Sequence, residues 1–95
     1  MTDIIWGNGS EILSSNSFIL NVTHRKNGNK QDYSDVEKIK IVEADIPGLP
    51  LNESEWNPEI LGKCTHEAFL KCEIKSRDES GMILAKVSHS GAGGY

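Results

Sequence analysis

The stretch YSDVEKIKIVEADIPGLP, residues 33–50, admits two readings, and the fold turns on the choice between them. As a helix over 34–45 it starts well. Ser34 is an N-cap, Glu37 at the third helical position completes a capping box, and Asp35 suits the positive first turn. Val36, Ile39 and Val42 then make one stripe, and Pro47-Gly48 stops the element. As a strand it alternates Ile39 and Ile41 with Lys38 and Lys40, and its β-branched residues favour an extended chain. The start and stop signals agree with the length, which favours the helix. The strand stays open beside it.

Working outward, SFILNVTHRKNGNKQDY over 17–33 reads as a hairpin: an apolar run, then Asn27-Gly28 for a tight turn, then a polar return. Phe18, Leu20 and Val22 would share one face, with Ile19 on the other. Downstream, GLPLNESEWNPEILGK over 48–63 is a long connection anchored by Trp56, with one helical turn after Pro58. Two paired strands follow, at 68–76 and 82–89, joined by a polar turn containing Gly81. At the N-terminus, Gly7 and Gly9 mark a turn, and Trp6 beside Ile4 and Ile5 reads as core. Residues 1–89 thus form a single domain, and 90–95 a flexible glycine-rich tail.

The totals exclude several function classes. A net charge of −4 over 95 residues argues against nucleic acid, whose binding needs lysine and arginine in surplus on one face. Arg25, Lys26 and Lys30 are read as a solvated hairpin tip. No basic-then-apolar leader opens the chain and no run reaches membrane-spanning length, so the expectation is a cytoplasmic protein with no membrane partner. In that compartment Cys64 and Cys72 would be thiols, and the sequons at Asn8, Asn21 and Asn52 chance matches.

Catalytic and metal chemistry find little support. Cys64, His66 and Cys72 are zinc-type donors, but the paired CxxC knuckle is missing and a fourth ligand would have to be His24 or His89. Cys72 fits the apolar register of a strand as a small core residue. A Cys–His nucleophile would need an orienting group and an oxyanion site that the sequence does not indicate. The reading is therefore a protein that is not an enzyme, with no catalytic residue, no metal and no cofactor.

The C-terminal run MILAKVSHSGAGG, a strand leading at once into Gly91, Gly93 and Gly94, resembles the end of ubiquitin-like modifiers and small sulfur carriers of the β-grasp fold. Hairpin 17–33, helix 34–45 and strands 68–76 and 82–89 are similar to that family's element order. The resemblance implies an α+β, β-grasp (ubiquitin-like) fold, with a small all-β sandwich as the alternative if 34–45 is a strand. It also implies that a protease removes Tyr95 and that an ATP-using partner enzyme adenylates Gly94 and passes it to a carrier. From Ser90 to Gly94 the extended chain spans at most about 17 Å, enough to enter a neighbouring active site. The competing expectation is a small β-rich interaction module, such as an immunity, inhibitor or accessory protein. It would bind a protein partner through an exposed edge or the 48–63 loop.

Overall fold

A computed structural model of the chain describes residues 2–90. Five strands run β1 (Ile4–Ser14), β2 (Ser17–Arg25), β3 (Val36–Asp45), β4 (Phe69–Arg77) and β5 (Ile83–His89). A 3-10 turn, Glu53–Glu55, and a helix, α1 (Pro58–Thr65), lie between β3 and β4. The strands close into a barrel in the order β1-β2-β3-β5-β4, with β4 returning to β1. All neighbours are antiparallel except β3 and β5. A five-stranded Greek-key barrel with a helix between its third and fourth strands has the connectivity of the OB-type barrels.

The β-grasp expectation is overturned, because residues 36–45 are a strand paired with β2 on one side and β5 on the other. Exposure gives the reason. Ile39 and Ile41 are buried at 0% and 1%, whereas Val36 and Val42, two of the three residues of the supposed helical stripe, are 55% and 46% exposed. Burying alternate residues against two neighbouring strands outweighs a local helix signal. The capping-box contact nevertheless forms: the Ser34 N–H donates to Glu37 Oε2 at 2.8 Å, where the chain enters β3. The all-β alternative has the right class, but the sheet closes on itself instead of stacking as a sandwich.

The hairpin expectation over 17–33 is corrected in the same way. Gly28 does take a positive φ of 90°, yet residues 29–35 make no strand. Asp3 holds this segment instead, accepting the Lys30 and Gln31 N–H groups at 2.9 and 3.1 Å and the Tyr33 hydroxyl at 2.8 Å. The tight hairpin is β1–β2, turning at residues 15 and 16. Strands over 69–77 and 83–89 appear where expected and pair with each other. The helical turn after Pro58 extends to eight residues, with the Asn57 side chain accepting the Ile60 N–H at 2.9 Å.

Trp6 and the N-terminal glycines also differ from expectation. Trp6 lies half-buried on the outer face of β1, and Ile5 fills the core. Gly7 and Gly9 sit within β1 and not in a turn, at places where neighbouring backbone comes too close for a side chain. A Cβ on Gly7 would collide with the Asn21 carbonyl, and one on Gly9 with the Thr65 carbonyl. These approaches let one strand pair with β2 and β4 while touching the end of α1. Gly9→Ala should therefore lower the unfolding free energy by about 3 kcal/mol in urea melts, since backbone must move to admit the methyl group. Gly28→Ala, in open space, should lose only about 1–2 kcal/mol for its positive φ. Equal losses would contradict this account of β1.

Candidate functional site

The connection after β3 shapes a concavity with an apolar floor. Ile46 and Leu49 are buried beneath it. The Trp56 indole N–H donates to the Pro50 carbonyl at 2.7 Å, so Trp56 anchors the loop as its sequence suggested. Beyond this anchor Leu51 has nothing to pack on, and it is fully exposed. Val42 faces outward by the alternation of β3, and as the extra residue where the β3–β5 register shifts between Ile41 and Glu43 it leaves Glu43 exposed beside it. Val42, Leu49, Leu51 and Trp56 line a groove of about 310 Å³.

Carboxylates rim this groove. Glu43 is 3.7 Å from Lys86, and Glu53 accepts a long bond, 3.4 Å, from the Asn16 side chain. The Asp45 side chain makes no ion pair or hydrogen bond among the described residues. The groove thus combines an apolar floor with negative potential at its edge, which suits a ligand bearing both an apolar group and a positive charge.

The sequence-level cysteine and histidine candidates do not come together. Cys72 is wholly buried in β4 among core residues, and burial pushes its thiol up to about 12. Cys64, on α1, is half-buried and faces Gly48, and its thiol is also raised by desolvation. The His66 ring lies 3.4 Å from the Ser10 carbonyl. No group of three or more metal-type side chains is close enough to hold an ion among the described residues. Gly91, Gly93, Gly94 and Tyr95 lie outside the described residues. The element order that carried the ubiquitin-like resemblance is absent, since 36–45 is a strand.

Among the described residues no helix is long and apolar enough to cross a membrane. No protein-family model, curated protein or solved structure matches the chain.

Because the thiolate is the reactive form, the two raised thiols should differ from ordinary cysteine. With Ellman's reagent at pH 8, the native protein should release one equivalent slowly, from Cys64, and a second only after urea unfolding. Fast modification of Cys72 in the native state would contradict its placement in the core.

Proposed function

We propose that this chain is a non-catalytic protein-binding module whose groove beside β3 receives an extended segment of a partner protein. That segment carries an aliphatic side chain flanked by lysine or arginine. The observation carrying this reading is the exposure of Leu51 and Val42 on one concave surface ringed by Glu43, Asp45 and Glu53. Single exposed apolar residues are ordinary, but two that share a groove with a carboxylate rim favour an amphipathic, cationic occupant. The groove's volume suits one or two side chains, hence a peptide and not the flank of a globular domain.

Of the two routes considered for such a module, barrel closure disfavours the edge, because both margins of the sheet are spent on the β1–β4 seam. The loop over 48–63 is left. OB-type connectivity by itself assigns no ligand. Binding of single-stranded nucleic acid is disfavoured because the outer face of β2 and β3 presents Ile19, Asn21, Lys38 and Lys40, with no Phe, Tyr or Trp on which bases could stack. The net charge of −4 points the same way.

Trp56 is a built-in reporter. In a Trp6→Phe background, an end-blocked peptide of alternating arginine and leucine should shift Trp56 emission and the amide resonances of Val42, Asp45 and Leu51. Its glutamate–leucine counterpart should not. Leu51→Asp, which disturbs no packing, should weaken the arginine peptide at least about tenfold, as expected from losing roughly 1.5 kcal/mol or more of apolar burial. Equal response to both peptides, or resonance shifts elsewhere on the barrel, would overturn the reading.

A further inference from the structure

A second concavity, of about 480 Å³, lies on another part of the barrel and has the opposite chemistry. It is lined by Asn8, Gly9, Ser10, Asn21, His66 and Glu67, with no apolar side chain. Asn8 and Asn21 stand directly opposite each other across the β1–β2 ladder, so their carboxamides project side by side on the outer face. Trp6 occupies the same outward face of β1 one alternation earlier and is only half-buried.

The other wall is held in place by backbone contacts. Gly9 lets residues 65–68 approach β1, and the two segments exchange bonds: the Glu67 N–H donates to the Gly9 carbonyl at 2.8 Å, and the Gly9 N–H to the Ala68 carbonyl at 3.1 Å. Glu67 takes a φ of 58°, the one non-glycine residue with positive φ among those described, which sets the direction in which its side chain leaves the backbone. The Ser10 carbonyl can only accept, so in the 3.4 Å contact His66 Nδ1 is the donor, and in the tautomer that makes this contact Nε2 is the acceptor. The side chains of Asn8, Asn21 and Glu67 make no hydrogen bond within the described residues. The cleft therefore presents a carboxylate, an imidazole nitrogen and two carboxamides, with nothing inside the protein to satisfy them.

We propose that this cleft binds a neutral saccharide. Vicinal hydroxyls donate to the Glu67 carboxylate and His66 Nε2 and accept from the Asn8 and Asn21 amides. Trp6, two residues along β1 from Asn8 on the same outward face and outside the cleft's own lining, is the aromatic that a sugar extending along β1 would meet with its C–H groups. Glu67 disfavours phosphorylated or sulfated ligands by like charge, and the absence of a second carboxylate leaves no pair for glycoside hydrolysis. This site is separate from the apolar groove and does not depend on it.

Heteronuclear NMR titration with methyl glucoside, methyl mannoside and N-acetylglucosamine, each to high millimolar concentration, tests the proposal. At least one glycoside should shift the resonances of Asn8, Asn21, His66 and Glu67 saturably, whereas adenosine and glucose 6-phosphate should not. Glu67→Gly is the decisive variant: glycine adopts the same φ freely, so the protein should stay folded by circular dichroism. It should nonetheless lose sugar affinity at least tenfold, as should Asn21→Ala at an exposed position. The proposal is overturned if no glycoside produces saturable shifts, if adenosine alone does, or if both variants bind sugar as the unaltered chain does.

Discussion

Two backbone contacts that only glycine permits, Gly7 against the Asn21 carbonyl and Gly9 against the Thr65 carbonyl, hold this barrel together. β1 has to serve β2 along its whole length, β4 along its first half and the 65–68 segment at its middle. A side chain at either position would push one of those neighbours away. Because Gly9 fixes Thr65, it also fixes the end of α1, whose Leu61 is buried in the core and whose Thr65 hydroxyl donates to the Leu61 carbonyl at 2.8 Å. The wall of the polar cleft follows from the same contact.

Elsewhere the barrel is tied by charge-assisted contacts at its loops. Asp3 grips residues 30–33, and its carboxyl is held below the usual carboxylate range chiefly by the Lys30 N–H. Asp78 does the same for the β4–β5 turn, accepting from the Ser80 hydroxyl and N–H and from the Met82 N–H. Glu37 points inward from β3 and is 3.3 Å from Arg77, which lies over the Tyr33 ring. These groups fasten the irregular stretches to a core made of strands.

The inward Glu37 also explains why β3 was hard to read. Its register places residues 37, 39 and 41 on the core side, but the first of them is charged, so the two-residue alternation shows only as Ile39 and Ile41. A helical stripe through Val36, Ile39 and Val42 could compete, and the Ser34–Glu37 contact that suggested a helix start is real but local. By contrast, β4 and β5 were legible because Leu70, Cys72 and Ile74, and then Ile83, Ala85 and Val87, alternate with less buried residues, and Cys72 was legible as core for the same reason. The 48–63 loop was recognisable as a binding candidate from its prolines and its anchor Trp56. The polar cleft was not, since Asn8, Asn21 and Glu67 meet only through strand pairing and a close approach at Gly9, neither of which leaves a local pattern.

The account stands or falls with the closure of the sheet at two seams remote in sequence, β1 to β4 and β3 to β5. Proton–proton Overhauser contacts measure both. The barrel requires backbone contacts between Gly7 and Leu70 and, with the spacing of parallel strands, between Ile41 and Ala85. Strong sequential amide–amide contacts through residues 36–45, with neither seam present, would mean that the segment is helical and that the barrel does not exist.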